Sequence, residues 1–201
     1  MPRLIDKEEK KTLILTAAVQ TIAQKGVNVK MSEIAEAAGI GKSTIYEYFS
    51  NKDEILHESF KFFMSYADTM VNQASSGKAS PQEYLNAFFD SWTAILDSPT
   101  AEYFDAMLHF WAIGIMQNQD TSLFDLKSIY HNYRAQFTQL FDICFAGSCP
   151  YDPEVLASIL IAELDGLMLQ YILDRNSFDL KAALGTLRSL YLNLIDSAGV
   201  S

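Results

Sequence analysis

The chain has 201 residues, 49% of them hydrophobic and 12% aromatic, enough to bury a substantial core as one large or two small domains and unlike a disordered or low-complexity chain. No uninterrupted apolar run reaches the roughly 18 residues needed to span a membrane, and the opening MPRLIDKEEKK has no apolar signal region, so a cytoplasmic location and no membrane partner are expected. The net charge of −10 is unusual for a nucleic-acid binder, but it is unevenly spread: residues 1–60 carry 8 Lys and Arg against 9 Asp and Glu, and residues 61–201 carry 7 against 16. Phosphate affinity in the first segment would have to come from the placement of single cations, not from net field.

Pro2 to Ile5 reads as a loose arm, and Arg3, Lys7, Lys10 and Lys11 give it the chemistry to touch phosphates or a minor groove. A first helix is predicted from about Asp6 to Lys25, with Leu13, Ile14, Ala17, Ala18, Thr21 and Ile22 recurring at three- and four-residue steps and Gly26 ending it. Met31 to Lys52, MSEIAEAAGIGKSTIYEYFSNK, then reads as two short helices around a tight turn. Ile34, Ala35, Ala37 and Ala38 give the first a small apolar face. Gly39 stands where the chain must turn sharply, and only glycine takes φ > 0 without steric cost. The second, Lys42 to Phe49, has Ile45 and Phe49 on one side and Lys42, Ser43, Thr44, Tyr46, Glu47 and Tyr48 on the rest. This is the layout of a helix-turn-helix, whose second helix enters the DNA major groove. Glu47 is the odd residue on that face: it could accept from a cytosine amino group or pair with a lysine, and pairing is the favoured reading.

The run IAEAAGIGKSTIYEYFSNKDEIL resembles the DNA-binding signature of the TetR family of bacterial regulators. The resemblance lies in the Ile-Ala-x-x-Ala-Gly-Ile turn, the Thr-Ile-Tyr of the second helix and the Tyr-x-x-Phe-x-x-Lys run that follows, about a quarter of the chain. It implies that Tyr46 and Lys52 contact phosphates, and beside them Lys42, Ser43, Thr44 and Tyr48 can reach bases or backbone. Lys30 stands where the family usually has a capping threonine, a loss of about 1 kcal/mol of capping. Glu33 can still bond back to the helix start, and Lys30 can offset the loss by reaching a phosphate. Gly41 and Ser43 also depart from the usual serine and glycine of the family, so the identity of the base contacts does not carry over directly.

Asn51 and Glu54 form a capping box for a long fourth helix, about Lys52 to Ala74, a candidate lever. Ser80-Pro81-Gln82-Glu83 starts a fifth helix, which ends before Asp97-Ser98-Pro99. The sixth, roughly Thr100 to Gln117, is apolar on nearly all sides; a seventh spans about Leu123 to Ala146, an eighth Pro153 to Asp174 and a ninth Phe178 to Ile195. Cys144 and Cys149 flank a Gly-Ser turn with nothing nearby to complete a metal site, so a reduced, structural role is expected. No period-two strand pattern, Gly-rich phosphate loop, His cluster or Gly-x-Ser-x-Gly elbow occurs, so neither an enzyme nor a bound cofactor or metal is expected.

The expected fold is all-α: a three-helix helix-turn-helix domain, residues 1–51, joined by a long helix to a larger ligand-binding and dimerisation domain, 52–201, about nine helices in total. The last two helices carry more apolar surface than a monomer easily buries, so they are expected to pair about a two-fold axis in a homodimer, through Leu160, Leu164, Leu167, Tyr171, Leu184, Leu187, Tyr191 and Leu194. Aromatics and methionines with a few polar groups suit an adaptable pocket for a small lipophilic effector. The expected lining is Tyr103, Phe104, Met107, Phe110, Trp111 and Met116 from the sixth helix, Tyr130, Tyr133, Arg134 and Phe137 from the seventh, and Met168 and Gln170 from the eighth. The expected function is a repressor bound to a palindromic double-stranded DNA operator and released by its effector. The alternative is an adaptor of the same fold whose large domain binds a protein.

Overall fold

In a computed structural model, the described residues are 7–75, 80–97, 103–116, 124–145 and 149–197; they form nine helices and no strand. The helices are α1 (Lys7–Lys25), α2 (Met31–Ala37), α3 (Lys42–Ile45), α4 (Lys52–Ser75), α5 (Pro81–Leu96), α6 (Tyr103–Met116), α7 (Leu126–Cys144), α8 (Pro153–Leu173) and α9 (Leu180–Ser197). The chain divides into two compact units, residues 1–67 with 102–125, and residues 68–101 with 126–201. The first unit is therefore larger than the segment 1–51 expected to bind DNA: it takes in the first part of α4 and all of α6.

Local chemistry sets most helix ends. The Asn51 side chain accepts the Glu54 N–H at 2.8 Å, and the Glu54 carboxylate accepts the Ser50 N–H at 2.6 Å. Ser80 and Glu83 close the reciprocal box at α5, each side chain accepting the other's backbone N–H at 3.2 Å. Asp152 caps α8 by accepting from Glu154 and Val155 at 2.9 and 3.3 Å. Each such cap satisfies donors that the first helical turn leaves open.

In the first unit, α1 packs on α2 and on α6. Ile14, Ala18, Val19 and Ile22 of α1, Ile34 of α2, and Ile45, Phe49 and Ile55 are all closed to solvent in the core of this unit. A second cluster joins Phe60 of α4 to Phe110 of α6 and to Phe124, with ring centroids 4.7–5.3 Å apart. Gly26 closes α1 at φ 74° and lies under the His109 ring, so that a Cβ added there would sit 3.3 Å from the imidazole.

In the second unit, α7 packs on α8, α5 on α9, α8 on α9 and α5 on α7. Phe88 and Phe137 meet edge to face at 5.2 Å, and Phe141 stacks on Tyr191 at 5.6 Å. Arg188 pairs with Asp90 at 2.8 Å, and Lys181 pairs with Asp97, tying α9 to α5. Helix α8 alters one expectation: it has 21 residues and an 18-residue stretch of mean hydropathy 1.6, long and apolar enough to cross a membrane by length and composition. Glu163 and Asp165 interrupt its apolar run, and Leu156, Ala157, Leu160 and Leu164 are buried inside the unit.

Candidate nucleic-acid interface

The α2–α3 turn is built around Gly39 at φ 64°, and the Ile40 N–H donates to the Ala35 carbonyl at 2.9 Å. Regular helix stops at Ile45, sooner than the sequence suggests. The Glu47 and Tyr48 N–H groups reach back three residues, to Thr44 and Ile45, both at 3.1 Å, so the backbone tightens after one turn. Ile45 and Phe49 still point into the core. Lys42, Ser43, Tyr46 and Glu47 are exposed, and Thr44 and Tyr48 are half-buried beside them. Among the described residues, neither Lys42 nor Glu47 makes an ion pair. The favoured pairing of Glu47 with a lysine is thus absent, because no cation lies at the neighbouring helical positions Ser43, Thr44, Ser50 and Asn51.

Around this face, several charges are already engaged. Glu33 accepts the Lys30 N–H at 2.8 Å, as expected of a helix start lacking a capping hydroxyl, and also pairs with Lys25 at 2.8 Å. The Lys25 hydrogen bond, then the Lys30 N–H, hold the Glu33 carboxyl below its ordinary range, and Glu33 holds Lys25 above its own. Lys30 itself is exposed. Lys52 donates from Nζ to the Val27 carbonyl at 3.3 Å, which ties the start of α4 to the turn after α1. Lys11, expected in the DNA-contacting arm, pairs instead with Glu58 at 3.0 Å and lies 5.9 Å from the centre of the Phe49 ring. The Lys11 hydrogen bond holds the Glu58 carboxyl down. Residues 1–6 lie outside the described residues.

The expected effector residues fall in both units. In the first, Phe104 and Phe110 are buried, and Phe110 packs against Phe60 of α4. Met107 and Trp111 are half-buried, Met116 at the end of α6 is exposed, and the Tyr103 side chain lies outside the described ones. In the second unit, Tyr130 donates to Asp165 Oδ2 at 2.7 Å. Burial raises the Asp165 carboxyl above its ordinary value despite that bond, and burial with the adjacent carboxylate drives the Tyr130 hydroxyl well up. Tyr133 and Phe137 are half-buried, and Arg134 lies 3.9 Å from Glu154 with its Nε buried and unmatched. Met168 is buried, while Gln170 is exposed and bonds back to the Gly166 carbonyl at 3.3 Å. An open groove of about 350 Å³ in this unit lies elsewhere, lined by Leu96, Tyr171, Arg175, Phe178 and Lys181. Among the described residues, no group of His, Cys, Asp and Glu could hold a metal ion.

Residues 14–59 match the family model of bacterial regulatory proteins, tetR family. Across 97% of both chains, the sequence is 25% identical to the HTH-type transcriptional regulator BetI of Paraburkholderia xenovorans. Residues 14–59 thus carry the DNA-binding segment of the TetR family. It is also 38% identical over 80 residues, 39% of this chain and 41% of the other, to the fatty acid metabolism regulator protein of Bacillus subtilis. The fold matches that of a transcriptional regulator from Saccharomonospora viridis solved in complex with choline, with a TM-score of 0.74 and 21% identity, covering 92% of this chain and 95% of the other. The chain thus joins a tetR-type DNA-binding segment to the all-helical fold of these regulators.

In the second unit, α8 and α9 present different residues from those the sequence suggested. Leu160, Leu164, Leu184, Leu187 and Tyr191 are buried within the chain, so they form its own core and not an interface. The Tyr191 hydroxyl donates to Glu163 at 2.9 Å across the two helices. Leu167 and Leu194 are half-buried, and Tyr171 lines the groove beside Arg175. The outward stripe on α8 is Val155, Ile159, Ala162, Gly166, Leu169 and Leu173, at alternating steps of four and three, with Leu190 exposed on α9. Helix α8 is apolar around most of its circumference, so periodicity could not say which stripe faces the core.

Proposed function

We propose that the protein is a homodimeric repressor that binds a palindromic DNA operator and is released from it by a small lipophilic effector, acting in the cytoplasm. The observation that carries this reading is the face formed by Lys42, Ser43, Tyr46 and Glu47, exposed and without ion pairs above a buried Ile45 and Phe49. Lys42, Tyr46 and Tyr48 supply donors for phosphates or base edges, Ser43 and Thr44 supply hydroxyls, and Lys30 and the remaining donors of Lys52 flank them. Two copies would meet through the α8 stripe from Val155 to Leu173, with Leu190 of α9, and bring two recognition helices to two half-sites.

The effector belongs to the second unit, near Tyr130, Tyr133, Phe137 and Asp165. Asp165 is a half-buried carboxylate with one oxygen held by Tyr130, and no other hydrogen bond or ion pair reaches it among the described residues. Burying a carboxylate is costly, and a cation over aromatic rings offsets that cost. Arg134, the possible anchor for an acidic effector, already faces Glu154. These observations support a neutral or cationic lipophilic effector, and the choline in the complex of the S. viridis neighbour shares the positive charge, though not the lipophilic character. Induction requires the two conformations to differ in effector affinity by only about 1–3 kcal/mol.

The test is selection of bound duplexes from randomised DNA, followed by anisotropy on the selected site at several salt concentrations. Lys42→Ala should reduce the slope of log affinity against log salt by about one unit. A panel of lipophilic cations, neutral aromatics and acyl carboxylates is then scored for release of that site. Release by carboxylates alone would overturn the effector class and make Arg134 the leading anchor.

A further inference from the structure

We infer that Glu47 is a specificity-determining residue whose carboxylate accepts the exocyclic amino hydrogen of a cytosine in each operator half-site. The inference rests on the DNA-binding reading above. With Ile45 and Phe49 buried, the outward positions of this short segment are Lys42, Ser43, Tyr46, Glu47 and Ser50. Glu47 is the one carboxylate on that face, and it is exposed. Its helical neighbours at three and four residues are Ser43, Thr44, Ser50 and Asn51, none of them cationic, and no ion pair reaches it among the described residues.

An unpaired carboxylate on a surface that meets a polyanion is repelled by every phosphate it approaches. Its presence there is offset only if it meets a hydrogen-bond donor. A carboxylate is acceptor-only, and the major groove offers donors on just two bases, cytosine and adenine. The adenine amino group sits beside the N7 acceptor, a pattern that suits an amide and opposes a carboxylate. The cytosine amino group stands without an adjacent acceptor on its own base, which suits Glu47. The same charge rejects guanine O6 and thymine O4, so the residue excludes as well as selects. Tyr46 and Lys42 on the same face are left to hold the backbone and keep the carboxylate in register.

The experiment uses the full chain and its Glu47→Ala and Glu47→Gln variants. Each selects from randomised duplexes, and anisotropy is then measured on the selected site and on single-base changes within it. The wild-type motif should contain a fixed C·G pair at two symmetry-related positions. Glu47→Ala should lower the preference for that pair about tenfold with the rest of the motif retained. Glu47→Gln should shift the preference at those positions towards A·T, because an amide matches the adenine edge. Melting curves confirm folding, which an exposed side chain without bonds should not disturb. If both variants select the unchanged motif and bind every duplex more tightly, Glu47 only repels phosphates and the inference is overturned, while the DNA-binding reading stands. If the unaltered protein enriches no sequence, the DNA-binding reading fails and takes the inference with it.

Discussion

Replacing Ile159 separates the outer face of α8 from its inner one. Ile159 is 47% exposed on the single chain and belongs to the outward stripe. Ile159→Ala removes Cγ1, Cγ2 and Cδ1, each worth about 0.8 kcal/mol when buried. Scaled by the exposed fraction, the loss on forming a dimer is about 1.1 kcal/mol per protomer. A two-fold axis brings the residue in twice, for about 2.3 kcal/mol. That is a dimer roughly 40-fold weaker, read by sedimentation equilibrium across protein concentration. The chain itself should melt almost as before. Leu160, its neighbour, is fully buried. Leu160→Ala leaves a cavity costing about 2–5 kcal/mol of folding stability, read by denaturant unfolding. An unchanged dimer constant for Ile159→Ala, together with dissociation of a fully stable Leu160→Ala, would refute the assignment of faces.

Three further outcomes are expected. Gly26→Ala should destabilise the protein by about 1–2 kcal/mol from φ alone, plus a steric part against the His109 ring at 3.3 Å, whereas Gly39→Ala, with nothing within 4 Å of the added Cβ, should show only the first part. Denaturant midpoints decide, and a larger loss at Gly39 would contradict this. Burial raises the Asp165 carboxyl above 3.8, so the native state binds more protons than the unfolded one as pH rises from 3.8 to the raised value, and stability falls through that window. Asp165→Asn should therefore be more stabilising at pH ~7 than at pH ~4, and an equal difference at the two would remove Asp165 from the pH dependence. Burial pushes the Cys144 thiol up to about 12, so iodoacetamide should label half-buried Cys149 in the folded protein and reach Cys144 only on denaturation. Mass spectrometry showing Cys144 labelled first would contradict its burial.

Local sequence determined much of this protein. Gly39 at the turn, Asn51, Ser80 and Asp152 at helix starts, and the four-residue spacing of Ile45 and Phe49 all act within a few residues of themselves, so their consequences could be read without a fold. The same holds for the recognition face, because two buried residues on a short helix leave only one direction for Lys42, Tyr46 and Glu47. Tertiary structure decided what distant segments share. The aromatics of α6 suggested an effector pocket, and the fold buries Phe104 and Phe110 and sets Phe110 against Phe60 of α4, a contact that spacing alone does not give because a ring fills a core and lines a pocket with the same chemistry. The inner and outer stripes of α8 have nearly equal hydrophobicity, so only the positions of α7 and α9 could choose Leu160 and Leu164 for the core and leave Ile159 and Leu173 outside. The bond from Tyr130 to Asp165 likewise depends on how α7 lies against α8, a relation no spacing along the chain encodes.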